Sequence, residues 1–348
     1  MKRLPLTTKA KPCTMPDHRH TLLLPFKSGA LPMPEEGEGV AILNAEPLPT
    51  TELTLTRVKA EQGFRPTFLG LQKSGLVVEP VLDLERSGRW ELVLVLAHRN
   101  RQVNQMNLTR AWNALEPGGI VVFCGAKTQG VQPLRKWAQK RAEIADSLSK
   151  HHAVVFWLTK EGADWPEEDQ PQGDHGYRVA PGMFSAKGPD TGSQVLVPHL
   201  AGKLKGYGAD FGAGWGFLSD QALKTNDTIT GIDLFEADHA SLEAAKHNVA
   251  RPDGIELTFH WRDMVSEPPK ERRYDWIIMN PPFHSGRAAE PALGNTFIEA
   301  ASRTLRPGGR LLMVANVSLP YEAALERGFR KFERIDQAKG FKVLEAFR

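Results

Sequence analysis

Two stretches of this chain recur at long range, and the recurrence restricts the fold more than any other feature. Arg89-Trp90-Glu91-Leu92-Val93-Leu94 lines up with Arg273-Tyr274-Asp275-Trp276-Ile277-Ile278, and Leu115-Glu116-Pro117-Gly118-Gly119-Ile120-Val121-Val122 with Leu305-Arg306-Pro307-Gly308-Gly309-Arg310-Leu311-Leu312. The offset is 184 residues between Glu91 and Asp275 and 190 between Pro117 and Pro307, so the second copy carries six extra residues between them. That gap falls where residues 280–294 sit. In the first copy, short apolar runs at residues 40–43, 76–78, 92–96 and 120–123 alternate with a helix-like segment at 104–115. Strands alternating with helices argue for a parallel α/β sheet, and a length of 348 residues suits two such domains better than one core. The longer loop belongs to the copy that does the work.

The stretch from Glu161 to Gly176 is crowded with Asp, Glu, Pro, Gly and Gln and has no apolar period, so it reads as a connection. We take residues 1–165 as the first domain, 166–177 as the linker and 178–348 as the second domain. Residues 1–34, rich in Pro, Lys and Thr, read as a loosely structured arm. Residues 134–150 read as an amphipathic helix with Arg135, Lys136, Lys140 and Arg141 off its apolar side, a solvated face in preference to an RNA contact.

Charge and cysteine content narrow the function classes. Lys and Arg number 44 against 41 Asp and Glu, and the isoelectric point near 8.8 permits a nucleic-acid partner without demanding one. Cys13 and Cys124 make no disulfide framework. His18, His20, His151, His152 and His175 lack Cys or carboxylate partners at ligand spacing, so we expect no metal. Leu22-Leu23-Leu24 is too short for a signal segment and no stretch approaches a membrane span. We expect a cytoplasmic monomer with no membrane role.

The chemistry lies in the second copy. Asp210-Phe211-Gly212-Ala213-Gly214-Trp215-Gly216 follows a strand-like run, and Gly212, Gly214 and Gly216 mark a turn where backbone comes close to a ligand. A phosphate loop has no use for a carboxylate at its entry, whereas a cationic amino-acid group does, so Asp210 suits an ammonium and the glycines a thioether and ribose. A second strand, residues 228–233, is read as ending in Asp233, placed to grip ribose hydroxyls. A third ends at Arg262-Asp263, with Asp263 placed to accept from an adenine amine. A fourth apolar run stops at Asn280-Pro281-Pro282-Phe283, because two prolines fix φ and remove two N–H donors. At that corner the Asn280 side-chain oxygen and the Pro281 carbonyl can accept from an NH2 group, with Phe283 as an aromatic plate. His284 suits a substrate contact or a turn equally. Any one of these acids alone is a common cap or turn residue. Together they line the C-terminal edge of a parallel sheet, where open α/β folds bind ligands.

These motifs resemble the series found in class I S-adenosylmethionine-dependent methyltransferases that modify exocyclic nitrogens. The similarity is closest to the ribosomal RNA guanine-N2 methyltransferases of the small-subunit methyltransferase C type and their large-subunit relative. Gly182-Met183-Phe184-Ser185, Asp190-Thr191-Gly192-Ser193-Gln194, the run from Asn280 to Gly286, Val314-Ala315-Asn316, Leu319-Pro320-Tyr321 and Gly340-Phe341-Lys342-Val343 also resemble that family in order, covering residues 178–348. Trp215 departs from the family's usual small residue and Ala213 from a frequent Cys. The resemblance implies two tandem Rossmann-like methyltransferase domains with a degenerate N-terminal copy, S-adenosylmethionine held by Asp210, Gly212, Gly214, Gly216, Asp233, Asp263 and Asn280, and Asn280, Pro281 and Phe283 at the reacting amine. It implies ribosomal RNA or a ribosomal subunit as partner. In the first copy the first strand runs into Asn44-Ala45-Glu46-Pro47 and Leu96 into Ala97-His98-Arg99-Asn100, so we expect it to bind no cofactor and to hold RNA or stabilise the second copy. Two other readings compete: the same chemistry on an adenine N6 amine or a protein glutamine amide, and an RNA-binding pseudo-methyltransferase without activity.

Overall fold

The computed structural model of the protein describes residues 17–35, 38–49, 58–86, 90–167, 176–250, 253–270, 274–282, 284–285, 288–289 and 291–348. Its first half holds helices α1 (His18–Leu22) and α2 (Leu24–Lys27), strands β1 (Val40–Leu43) and β2 (Val58–Glu61), helix α3 (Arg65–Lys73), strands β3 (Val77–Glu79) and β4 (Trp90–Leu96), helix α4 (Arg101–Ala114), strand β5 (Leu115–Ala126), helix α5 (Val131–Ala138) and strands β6 (Asp146–Lys150) and β7 (Ala153–Thr159). The second half holds α6 (Thr191–Leu196), β8 (Gly206–Phe211), α7 (Phe217–Thr225), β9 (Ile229–Glu236), α8 (His239–Asn248), β10 (Glu256–Trp261), β11 (Tyr274–Met279), the short antiparallel pair β12 (His284–Ser285) and β13 (Ala288–Ala289), α9 (Pro291–Thr304), β14 (Leu305–Asn316), α10 (Glu322–Gly328), β15 (Lys331–Ala338) and β16 (Phe341–Phe347).

The two seven-stranded sheets have one topology. Their orders are β3-β2-β1-β4-β5-β7-β6 and β10-β9-β8-β11-β14-β16-β15, position for position the same. The likeness extends to irregularities. The β4–β5 pairing shifts register between Trp90 and Leu92, the β11–β14 pairing between Tyr274 and Trp276, and Gly118 and Gly308 take φ of +83° and +77° in the two Pro-Gly-Gly turns. A positive φ there is what restricts the position to glycine. In each sheet one strand is reversed, β7 or β16, which runs antiparallel to both of its neighbours, while the contiguous parallel strands share one C-terminal edge, the place where open α/β sheets bind ligands.

By its contacts the chain divides into two compact units, residues 1–58 with 83–167, and residues 59–82 with 168–348. In the second unit the core lies on both faces of the sheet. One face carries Phe211, Phe235, Tyr274, Ile277, Met279 and Met313, the other Ile232, Leu234, Trp276, Ile278, Leu312 and Val314. Along β9, β14 and β11 from Trp276 onward the faces alternate with the period of two expected of strands covered by helices on both sides, and the register shift between Tyr274 and Trp276 sets Tyr274 out of phase.

Two expectations for the first half are corrected. Residues 18–27 are not a loose arm. They form α1, capped by Asp17, and α2, with Leu22, Leu23 and Phe26 buried. Nor do residues 134–150 form one helix. The helix ends at Ala138, and residues 146–150 pair with β7 through a turn in which His151 and His152 have φ of +50° and +56°. Two adjacent left-handed residues make the tight hairpin turn whose twist matches the strands. His-His is not the usual sequence signal for it, so the apolar spacing of Ile144, Ala145 and Leu148 passed for helix.

Candidate active site

At the C-terminal edge of the second sheet, backbone register decides which side chains meet. Asp210 pairs with Leu234 of β9 and Ile278 of β11, and Phe211 with Phe235 and Met279. Gly212 therefore lies between the ends of β9 and β11, one step from Asn280. A Cβ built on Gly212 would stand 3.5 Å from Phe297 Cε1 and 3.9 Å from Pro282 Cδ, which puts the glycine loop against the Asn-Pro-Pro corner. The loop is tied to β9 by the Gly212 and Ala213 N–H groups, which donate to the Phe235 carbonyl, and closes on itself through the Gly216 N–H, which donates to the Ala213 carbonyl. Gly212, Gly214 and Gly216 all have positive φ, and a Cβ on Gly216 would fall 2.6 Å from Val249.

Asp210 is fully buried. Its Oδ2 accepts from Ser219 Oγ at 2.7 Å, while Oδ1 has no hydrogen-bond partner among the described residues. Burial pushes this carboxyl from 3.8 up to about 7, the nearby Glu236 charge adds to the rise, and the Ser219 hydrogen bonds oppose it. A buried acceptor left unpaired at such a place wants a donor, and a cationic head group supplies one directly or through water. The S-adenosylmethionine expected from the sequence fits this cradle.

The expectation that Asp233 ends its strand is corrected. β9 runs on to Glu236, and Asp233 stands mid-strand opposite Ala209 and Thr258. Its carboxylate accepts from the Tyr274 and Tyr207 hydroxyls at 2.7 and 2.9 Å, with His260 Nε2 at 3.4 Å. Burial alone would raise its pKa, but the His260, Tyr274 and Tyr207 contacts outweigh burial and hold it below the usual range. Both oxygens are thus occupied inside the core. The acid at the strand end is Glu236, which sequence reasoning missed. Its Oε2 accepts from the Gly214 N–H at 2.8 Å and its Oε1 from the Ala237 and Asp238 N–H groups, also at 2.8 Å. The signal was present in the sequence: the apolar alternation continues through Leu234 and Phe235, and Asp238 with Ser241 is a helix start.

Asp263 follows β10 as expected. Its Oδ1 accepts from the Val265 N–H and its Oδ2 from the Ser266 N–H and hydroxyl, so it braces its own turn. That turn is held from a second side. Glu267 accepts a bidentate pair of hydrogen bonds from Arg65, both 2.8 Å, and its Oε2 also accepts from the Asp263 N–H at 3.3 Å. The Arg65 guanidinium lies 4.7 Å over the Trp261 ring.

Asn280 stands directly after β11. Its Nδ2 donates to Asp190 Oδ2 at 2.8 Å and to Ser193 Oγ at 3.0 Å. Both donor hydrogens are used, and among the described residues no hydrogen bond engages Oδ1. Pro281 is buried and Pro282 exposed. Phe283 lies outside the described residues. Trp215 is buried, but it packs on Tyr177 and Phe217 and donates through Nε1 to the Phe184 carbonyl at 3.0 Å. Among the described residues there is no group of three or more His, Cys, Asp or Glu able to hold a metal, and no helix long and apolar enough to cross a membrane.

A glycine cradle opened by a buried acid, an acid at the next strand end and an Asn-Pro-Pro corner against the cradle define an S-adenosylmethionine-dependent methyltransferase. Residues 176–345 match the family model of the methyltransferase small domain, and the ribosomal RNA small subunit methyltransferases C of Escherichia fergusonii and of an Escherichia coli strain are 30% and 37% identical, each over 253 residues, 71% of this chain and 73% of the relative. The chain belongs to the ribosomal RNA small subunit methyltransferase C family. The Hahella chejuensis member is 28% identical over 77% of this chain and 80% of its own. A solved 16S rRNA N2 methyltransferase from T. thermophilus, in complex with AdoMet and guanosine, superposes with a TM-score of 0.77 at 24% identity, covering 95% of this chain and 91% of that one, and shares the fold.

Proposed function

We propose that the protein transfers the methyl group of S-adenosylmethionine to the exocyclic N2 amine of a guanine in small-subunit ribosomal RNA. The observation that carries this reading is the meeting of the glycine loop and Asn280 at one sheet edge, with the Asn280 amide turned so that its oxygen remains an acceptor. Asp210 receives the ammonium, Glu236 the ribose hydroxyls in place of Asp233, and Asp263 the adenine amine. When bound, the cofactor supplies an electrophilic methyl group on a positive sulfur.

A guanine amine is a weak nucleophile because its lone pair is delocalised into the ring. Accepting its two N–H bonds at Asn280 Oδ1 and the Pro281 carbonyl favours the pyramidal nitrogen whose lone pair points at the methyl carbon. Alkylation at that nitrogen would make its proton acidic enough to leave to water, so Asn280 and Pro281 need only hold the amine and no strong base is required of the chain. Reaching the amine requires the base to be out of any helix, and Phe283 is assigned the stacking face from the sequence.

The first copy serves as a non-catalytic partner. Where the second copy has its glycine loop, Glu46 follows β1 and pairs with His18 of α1 at 3.1 Å, and the Cys124 thiol donates to the His18 carbonyl at 3.2 Å. The chain itself occupies that edge. The protein acts as a cytoplasmic monomer, with residues 1–165, 166–177 and 178–348 as its parts.

Labelled methyl transfer to purified small subunits, large subunits and their naked RNAs, followed by nucleoside digestion, tests the reading. N2-methylguanosine in small-subunit RNA that disappears with Asn280→Ala is the expected result. Label in N6-methyladenosine or in a protein amide would move the assignment to those substrates, and cofactor binding without transfer to any of them would favour the non-catalytic protein.

A further inference from the structure

Asn280 must present its oxygen, and not its NH2, to an incoming amine, yet a primary amide has two nearly isosteric ends. Nothing in β11 or the two prolines selects between them. The choice is made from a segment 90 residues earlier. Asp190 Oδ2 lies 2.8 Å from Asn280 Nδ2, and Ser193 Oγ lies 3.0 Å from the same nitrogen. A carboxylate only accepts hydrogen bonds, so the end of the amide that faces Asp190 has to be the NH2 end. The oxygen is thereby directed away from α6.

The two partners are themselves held. Asp190 is the N-cap of α6, its Oδ2 accepting from the Ser193 N–H at 3.0 Å, and Ser193 is buried on that helix. Gly192 between them is required by close approach. A Cβ there would fall 2.9 Å from the Phe341 ring and 3.1 Å from Asp190 Oδ2, so the helix start is seated against β16 with no room to shift. One carboxylate thus performs two tasks, ending the helix and orienting the amide.

We infer that Asp190, seconded by Ser193, is a positioning residue for methyl transfer, locking the Asn280 amide so that its oxygen accepts from the target amine. This deepens the proposed function and rests on Asn280 acting there. Loss of the lock lets the amide flip and its NH2 face the substrate amine, where it repels instead of accepting. The effect falls chiefly on turnover, because Asp190 and Ser193 are assigned no cofactor contact and Asn280, which the resemblance also places at the cofactor, keeps its place after β11 when its amide flips.

Asp190→Ser separates the two tasks, since serine caps a helix as well as aspartate does but is too short to reach Asn280. With small subunits or whichever RNA the wild-type protein methylates, kcat is expected to fall about 10- to 100-fold, the S-adenosylmethionine Kd to stay within about twofold, and Asp190→Asn, whose oxygen can still accept from Asn280, to recover part of the rate. A readout independent of turnover is the Asn280 side-chain amide by 15N nuclear magnetic resonance: its protons should be slow to exchange in the wild-type protein and fast in Asp190→Ser. Wild-type kcat in Asp190→Ser, a rate lost only in proportion to cofactor affinity or melting temperature, or a rapidly exchanging Asn280 amide in the wild-type protein would each overturn the inference. Asn280→Ala assayed in parallel keeps the two levels apart. If it retains activity, the proposed role of Asn280 fails; if it is inactive while Asp190→Ser is normal, only the positioning role fails.

Discussion

Asp210→Asn should make the protein more stable and less able to bind its cofactor. In the ligand-free fold Asp210 is fully buried and its pKa rises from 3.8 to about 7, chiefly by desolvation. A group raised in the folded state contributes stability that is complete below its unfolded pKa, near 4, and is lost as pH climbs through about 7. Carrying the charge at pH 8 therefore costs on the order of 4 kcal/mol, from roughly three pH units at about 1.4 kcal/mol each. Asparagine removes the charge and can still accept from Ser219, but it adds a buried NH2 that costs about 1–3 kcal/mol if unpaired. The net gain at pH 8 is about 1–3 kcal/mol, roughly 2–4 °C in Tm per kcal/mol for a unit of this size. At pH 4, where the aspartate is neutral, the gain should vanish or reverse. Cofactor binding should weaken by about 10- to 100-fold, the worth of one charge-assisted hydrogen bond. Thermal melts of both proteins from pH 4 to 8, with calorimetric titration of S-adenosylmethionine, measure each quantity. The reasoning fails if Asp210→Asn melts below the wild type at pH 8, if the two stability profiles run parallel across this range, or if cofactor affinity is unchanged.

Other expectations follow from the same geometry. Wild-type affinity for S-adenosylmethionine should fall as pH drops below about 7, because protonating Asp210 removes the acceptor charge; a Kd flat between pH 5.5 and 8 would contradict this. Glu236→Gln, which turns one end of a carboxylate holding the Gly214, Ala237 and Asp238 N–H groups into a donor, should weaken cofactor binding by about tenfold or more and destabilise by about 1–2 kcal/mol, whereas Asp233→Asn, which disturbs a carboxylate bound by the buried Tyr274 and partly buried Tyr207 hydroxyls, should destabilise by about 2–4 kcal/mol and spare affinity in the protein that remains folded; equal effects on both quantities in both variants would undo the reassignment. Arg65→Ala, which frees Glu267 and with it the Asp263 turn, should raise the KM for S-adenosylmethionine several-fold and leave kcat at saturation near wild type; steady-state kinetics over cofactor concentration decide it.

Much of the second copy was legible because its signals are local. The Asn-Pro-Pro corner ends a strand by removing donors, glycines at 212, 214 and 216 stand where φ is positive, and the acid opening the loop is adjacent in sequence. The internal repeat likewise foretold two sheets, since the Pro-Gly-Gly turns and their flanking strands are short-range patterns, and the sheets have the same order.

What the sequence by itself determined, then, is the plan of two α/β copies and the placing of Asp210, the glycine loop, Asp263 and Asn280 at or just beyond the C-terminal ends of strands in the second one. Tertiary structure decided the rest. Asp233 and Glu236 both sit in one β run, and only the ladders to β8 and β10 settle that the first is buried under two tyrosines while the second closes the strand. Residues 146–150 became a strand because β7 offered backbone partners that no helical spacing reveals. Asp190 reached Asn280 across 90 residues, and Arg65 reached Glu267 across 202, because hydrogen bonds form between groups that packing brings together, which sequence distance does not record.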